Sequence, residues 1–374
     1  MSRFASGLLE VSVPTVALGA LLFLALRSLW QGLKEDRAYA GGPKAPPSAP
    51  LVSFQRASPA RRRRRSSDQL PPDATVTFAA ERSAADIDDV YAALDRDLVG
   101  LDPVKQKVQE VGALLLVDRA RRRFGLEAPR PNLHMCFTGP PGTGKTTVAL
   151  RMAEMLHRLG YLEQGQLVHA MRNDLVGEFV GQTAPRTKRV LDRAMGGVLF
   201  IDEAYYLYRA SDSRDYGQEV IDILLQVMEN DRDKLVVILA GYKDRMDEFF
   251  QVNPGMNSRI AHHLDFAAYE MDELVDIGRV MLQQSSYYLS DEAELAFRHY
   301  LTWRQQQPEF ANARSVRNEL EHARLRHAHR LATDLHRNWT RDDLMRLEPV
   351  DILADLPAAA VTATAAAEPP LPGR

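Results

Sequence analysis

The sequence predicts an α/β fold, a parallel sheet with helices on both faces, followed by an all-α helical subdomain. Three observations predict it. Short, near-continuous apolar runs alternate with helical patterns up to Phe266. A glycine-rich stretch, Gly139-Pro140-Pro141-Gly142-Thr143-Gly144-Lys145-Thr146, joins one apolar run to one helix. Beyond Phe266 the strand signals stop, and three helical segments follow.

Composition bounds the rest. A chain of 374 residues with 45% hydrophobic content can hold two or three domains around a real core. The single cysteine, Cys136, rules out an intramolecular disulfide and favours a reducing compartment. It reads as a small buried apolar residue rather than a redox sensor. The net charge of −3 hides an asymmetry: residues 1–72 carry 11 Lys/Arg against 4 Asp/Glu, and the remainder 36 against 46. A basic leader on an acidic body implies two unlike parts, and argues against a nucleic-acid-binding body.

Within the leader, Val11 to Leu26 is almost unbroken apolar sequence. It is shorter than the roughly 20 residues that a spanning helix needs. It fits the hydrophobic part of a signal peptide, with Ala38-Tyr39-Ala40 as a small-x-small cleavage site, although charged Lys34 to Arg37 lies between them. Residues 1–40 are therefore a signal-like segment or, if retained, a membrane anchor through residues 11–30. Residues 41–83 are expected to be a disordered basic linker, rich in Pro, Ala, Ser and Arg, with Arg61 to Arg65 in a row. Their composition is that of an organelle transit segment, with a plain linker or a nuclear-localisation run as the competing readings. Signal-like followed by transit-like is the order for entering a plastid bounded by extra membranes. This predicts the plastid stroma after removal of the leader.

From Ala84 the pattern is helical. Ile87, Val90, Tyr91 and Leu94 form one apolar face. Leu98 to Leu101 is a turn, with Asp102 expected as N-cap and Pro103 as the first helical residue. Val104, Val108, Val111 and Leu115 continue that helix, and Gly125 closes it. Leu133 to Thr138 reads as a buried strand, and Thr147 to Leu159 as a helix capped by Gly160. In that context the glycine-rich stretch is a phosphate-binding loop: its glycines let backbone N–H groups converge on a phosphate, and the helix adds its positive end. Residues 139–147 are the candidate nucleotide-binding set, Thr147 included. Lys145 would reach the β- and γ-phosphates of ATP, and the Thr146 hydroxyl would ligand Mg²⁺.

Gln166 to Ala170 is a short strand, and a helix spans about Ala184 to Met195. Gly197-Val-Leu-Phe-Ile-Asp202-Glu203 is an apolar strand ending in two acids. It would deliver Asp202 beside the Mg²⁺ and Glu203 within reach of an attacking water. Tyr216 to Glu229 is helical, with Val220, Leu224, Val227 and Met228 inward, and Leu235 to Ala240 is the next strand. Met271 to Gln284, Asp291 to Gln306 and Ser315 to Ala332 are the three later helices, with Ser290 capping the second. The α/β part is placed at 84–267, the helical subdomain at 268–353, and a disordered Ala/Pro-rich tail at 354–374.

The phosphate loop, Val198–Glu203, Asn253-Pro-Gly-Met-Asn-Ser-Arg259 and Asn312-Ala-Arg-Ser-Val-Arg-Asn318 together resemble an AAA+ ATPase. More narrowly, Asp174–Lys188, Gly197–Tyr206 and Val237–Met246 are similar to the CbbX/CfxQ family of red-type Rubisco activases, across about 84–353. The resemblance implies a hexameric ring driven by Mg·ATP, of this chain alone or with a paralogous subunit. It implies that Arg259 is an arginine finger acting on a neighbour's nucleotide, which ties hydrolysis to assembly. It also implies that Arg314 is the lid's sensor arginine, with Arg317 as the alternative. Phe179-Val180-Gly181 would be the pore loop that grips an extended peptide; Phe-Val-Gly departs conservatively from the Tyr-Ile-Gly expected there. Many AAA+ proteins carry a polar Asn near the end of the strand Val236–Tyr242 to orient water; Ala240-Gly241-Tyr242 offers none, so no sensor is assigned there. The implied client is red-type Rubisco, pulled by a large-subunit terminus to release a bound sugar phosphate, with a sugar bisphosphate as allosteric ligand at no assignable site. The rivals are an ATPase of the same family with another client, membrane-tethered through the leader, and a nucleotide-gated assembly scaffold. Against the scaffold stand Glu203 and Arg259, which a pure binding switch does not need.

Overall fold

Four short runs make the centre of the sheet, and nearly all of their residues are buried. The structure, a computed structural model, describes residues 51–52 (backbone only), 69–126, 129–208 and 216–353, all within the compact unit Ala49–Arg374. The signal-like segment, most of the linker and the tail lie outside the described residues.

The sheet contains β1 (Leu51–Val52), β2 (Met135–Thr138), β3 (Leu167–Ala170), β4 (Val198–Ile201), β5 (Val236–Gly241) and β6 (His262–Asp265), in the order β1-β3-β4-β5-β2-β6. All neighbours are parallel except β1, which pairs antiparallel with β3 at the edge. Successive side chains point to opposite faces. Met135, Phe137, Val198, Phe200, Val236 and Ile238 enter one core, and Cys136, Leu199, Ile201, Val237 and Leu239 enter the other. Both faces are covered, which fits the parallel α/β class read from the apolar runs. Strand β6 was not anticipated: in His-His-Leu-Asp only Leu264 is buried, so its pattern is that of a polar edge.

The helices before the C-terminal part are α1 (Phe78–Ala84), α2 (Ile87–Asp97), α3 (Asp102–Arg123), α4 (Lys145–Arg158), α5 (Arg172–Leu175), α6 (Thr183–Ala194), α7 (Gly217–Asn230), α8 (Lys243–Val252) and α9 (Pro254–Asn257). Of these, α2, α3, α4, α6 and α7 follow the sequence periodicity with shifted ends. Helix α3 is capped one residue earlier than expected, by Leu101, because Gly100 and Leu101 both take left-handed backbone (φ 57° and 54°) and complete the turn there. Val227 is only partly buried, and Ile221 takes the inward place beside Val220 and Leu224.

One expectation is corrected. The segment to residue 83, read as disordered, contains α1, whose Thr77 hydroxyl accepts from the Ala80 N–H at 3.4 Å. Tertiary contact holds it: Glu81 is 3% exposed and pairs with Arg123 and, at 3.6 Å, with Arg119 on α3. The C-terminal part is helical, as read, in α10 (Met271–Gln284), α11 (Asp291–Gln305), α12 (Ala313–Thr333) and α13 (Pro349–Leu353). It also holds a two-residue parallel ladder, β7 (Tyr288–Leu289) with β8 (Arg346–Leu347), too short for alternation to signal. Ser290 caps α11 as read, accepting from the Ala293 N–H at 3.1 Å.

Glu81→Ala should lower stability by about 2 kcal/mol, below the range for a fully buried charge pair because both arginines can still reach water. Urea unfolding checks this; an unchanged midpoint would mean that α1 is held by something else.

Candidate functional site

The phosphate loop leaves the end of β2 and enters α4. Two of its glycines are required sterically. Gly139 has φ 142°, and a Cβ there would stand 2.2 Å from the Phe266 carbonyl oxygen. Gly142 has φ 72°, and a Cβ would stand 2.0 Å from the carbonyl oxygen of Ala311 in the helical subdomain. Only a bare backbone fits where strand, loop and helical subdomain converge. Lys145 Nζ donates to the Gly139 and Pro140 carbonyls at 2.9 and 2.6 Å. Burial lowers its ammonium below the ordinary lysine range, Asp202 opposes that shift, and Arg314 adds to it.

Asp202 follows β4 directly, its N–H donating to Ala170 O at 2.9 Å. One carboxylate oxygen accepts from the Glu203 N–H at 3.1 Å, and the other lies 3.7 Å from His169 Nε2. Burial pushes this carboxyl up, but His169, the Glu203 amide and Lys145 together hold it below the usual range, so it is ionised at neutral pH. Glu203 takes left-handed backbone, φ 50°, and opens a tight turn over Ala204–Leu207. Its Oε1 accepts from the Tyr205 hydroxyl at 3.2 Å. Burial, then the charge on Glu203, raises the Tyr205 phenol, so it stays protonated as a donor.

The helical subdomain reaches over the loop through Asn312, which is 2% exposed. Its amide donates to Pro141 O and accepts from the Tyr269 N–H, each at 3.1 Å, and the following Ala313 N–H donates to Gly142 O at 3.2 Å. Arg314 and Arg317, one turn apart on α12, both face the resulting cleft of about 500 Å³. The cleft is also lined by Gly139, residues 141–147, Asp202 and Glu203; Pro140 belongs to the loop but does not line it. One wall is apolar, built from Leu98, Val99, Ile277, Val280 and Met281. Sequence reading missed that wall and placed residues 98–101 in a simple turn. The only signal was that turn's apolar content, which a surface loop does not need.

The residues present fit a metal–nucleotide. The bare glycine backbone leaves room for phosphates, and the apolar wall offers an apolar surface to a base. Among the described residues no group of three or more His, Cys, Asp or Glu could hold a metal by itself. One hydroxyl, Thr146, and one carboxylate, Asp202, are what Mg²⁺ takes when phosphate oxygens and water complete its shell.

Arg259 is not brought to this cleft. Its Nη1 donates to Gly255 O at 2.9 Å, and its Nε lies 3.4 Å from Glu229. Phe179 and Val180, in the loop between α5 and α6, are also apart from the cleft lining, and are 67% and 81% exposed. Gly181 beside them has φ 79° and no atom within 4 Å of where a Cβ would be. Neither apolar side chain is a core anchor.

Residues 135–267 match the family model for ATPases associated with various cellular activities (AAA), and 270–361 match the AAA lid domain. Protein CbxX, chromosomal, of Cupriavidus necator is 57% identical over 278 residues, 74% of this chain and 88% of that one. Protein CbbX of Cereibacter sphaeroides is 59% identical over 266 residues, 71% and 86% of the two chains. The chloroplastic ribulose bisphosphate carboxylase/oxygenase activase of Cyanidioschyzon merolae is 54% identical over 279 residues, 75% and 95% of the two.

Asn312→Ala strands one part-buried carbonyl and one buried N–H, so it should cost about 2 kcal/mol of stability. It should also weaken binding of a fluorescent ADP, because the lid loses its tie to the loop. Urea unfolding and nucleotide titration read both effects; wild-type values in each would deny Asn312 that role.

Proposed function

The chain belongs to the CbbX/CfxQ family of AAA ATPases, and on that premise we propose that it reactivates red-type Rubisco. It spends ATP to pull on a large-subunit terminus, so that a tightly bound sugar phosphate can leave. The observation that carries the client is the match along nearly the whole length of the Cyanidioschyzon merolae activase. The single cleft that gathers loop, acids and lid arginines carries the motor.

Each residue has a part in this reading. Backbone N–H groups of 142–147, past the two prolines of the loop, and the Lys145 ammonium bind the phosphates. Thr146 and Asp202 hold Mg²⁺, which when bound neutralises phosphate charge. The Glu203 carboxylate orients the attacking water and accepts its proton. Arg314, with Arg317 as alternative, links the γ-phosphate to the lid. Arg259 is supplied to the neighbouring subunit of a hexameric ring; its position outside its own cleft supports a role in trans. Phe179, Val180 and Gly181 grip the client in the ring's pore, and their exposure supports this. The basic leader and the chloroplastic relative support a plastid location. No helix among the described residues is long and apolar enough to cross a membrane, and the segment 11–30 lies outside them.

Two experiments test the reading. Arg259→Ala should lose about 10³-fold in ATP turnover, a typical value for an arginine finger. Adding Lys145→Ala subunits, themselves inactive, should restore turnover by supplying Arg259 in trans; no restoration would contradict action across subunits. Phe179→Ala should keep ATP turnover but lose recovery of carboxylation by inhibited red-type Rubisco. Full recovery by that variant would remove the pore loop from client handling.

A further inference from the structure

The strand between the phosphate loop and Asp202, β5, ends in Ala240 and Gly241, with no polar side chain to offer beside Glu203. The structure fills that place from another element. A Cβ built on Gly241 would stand 2.8 Å and 2.9 Å from Cδ1 and Cε1 of Tyr205. The tyrosine ring therefore occupies the volume that a side chain at the strand end would take. It gets there because Glu203 is left-handed and the next four residues form a tight turn, which folds residue 205 back over 203. The ring is 8% exposed. It is packed by Tyr206 at 4.6 Å and Tyr242 at 6.3 Å between centroids, with the Arg245 guanidinium 5.3 Å above it. From this fixed ring the hydroxyl donates to Glu203 Oε1 at 3.2 Å.

We propose that Tyr205 is a positioning residue for ATP hydrolysis: its hydroxyl fixes the orientation of the Glu203 carboxylate, in place of a polar side chain at the end of β5. The proposal rests on the reading of Glu203 as the carboxylate that orients water. Glu203 stands at the rim of an open cleft on a strained backbone position, and its side chain has rotamer freedom to lose. Tyr205 removes that freedom before substrate arrives, and water orientation depends on such preorganisation. Because Gly241 leaves the room, glycine at that position is part of the same device.

Tyr205→Phe keeps the ring and removes only the donor. It should lower kcat for ATP hydrolysis about 10-fold, the scale of one hydrogen bond to a charged group. KM for ATP and affinity for fluorescent ADP should stay at wild-type values, a split that simple unfolding would not give. Gly241→Ala, which pushes a methyl group into the ring, should lower kcat in the same way with ADP affinity retained. In single-turnover hydrolysis, Tyr205→Phe should add no further loss to Glu203→Gln, because the hydroxyl acts through that carboxylate. Unchanged or raised kcat in Tyr205→Phe, or a full further loss in the Glu203→Gln background, would overturn the proposal. If Glu203→Gln itself hydrolyses at the wild-type rate, the failure is that of the underlying reading of Glu203, and Tyr205 loses its role with it.

Discussion

Strands β4, β5 and β2 run parallel, and their pairing brings their C-terminal ends to one edge. Thr138 faces Gly241, and Ile201 faces Leu239, so the chain leaves β2 as the phosphate loop and leaves β4 as Asp202-Glu203 at the same edge, with β5 between them. Both faces of this sheet are apolar, so the pattern of burial alone does not fix its register. Polar ties at the edge help to do so: Gly139 N–H donates to Gly241 O at 3.1 Å, and Asp202 N–H to Ala170 O at 2.9 Å. A slip of one residue would turn Asp202 to the opposite face and take the carboxylate from the loop. Position of the chemistry thus follows from strand pairing before any side chain in the cleft is considered.

The second condition is the joint between the sheet and the lid. Asn312 adopts an unfavourable backbone (φ 47°, ψ −126°). Such a conformation persists only when its surroundings over-determine it. Here the surroundings are its two side-chain hydrogen bonds and the Ala313 N–H on Gly142 O. Tyr269 adds a hydroxyl bond to Thr143 O at 3.3 Å. The phosphate loop is therefore held from above by the lid as well as from below by β2. A nucleotide entering the cleft meets residues of both parts, so its binding and loss bear on the angle between them. That is the link from phosphate chemistry to mechanical work that the proposed function requires.

Much of this was legible in the sequence, and the gaps have physical causes. The phosphate loop and Val198–Glu203 were readable because glycine spacing and an apolar run ending in acids are local patterns. Helices α10, α11 and α12 were readable from periodicity and, at Ser290, from a cap. Strand β6 escaped because it buries only Leu264, and α1 because a tertiary ion pair at Glu81 holds it. The apolar wall of the cleft joins residues 98–99 to 277–281, a juxtaposition that only the fold creates. Tyr205 escaped for a different reason. Its bond to Glu203 needs a non-glycine residue in left-handed backbone, which sequence patterns disfavour. The absence of a polar residue at the end of β5 was visible, but what fills its place was not.

The central claim is that ATP turnover in this cleft drives recovery of a Rubisco client. The most direct measurement takes protein beginning near Asp73, ATP, and red-type Rubisco inhibited by its own sugar substrate, and follows carboxylation with Lys145→Ala as the blank. Recovery is expected with the intact protein and none with the variant. ATP hydrolysis without recovery would contradict the Rubisco assignment while leaving the ATPase in place.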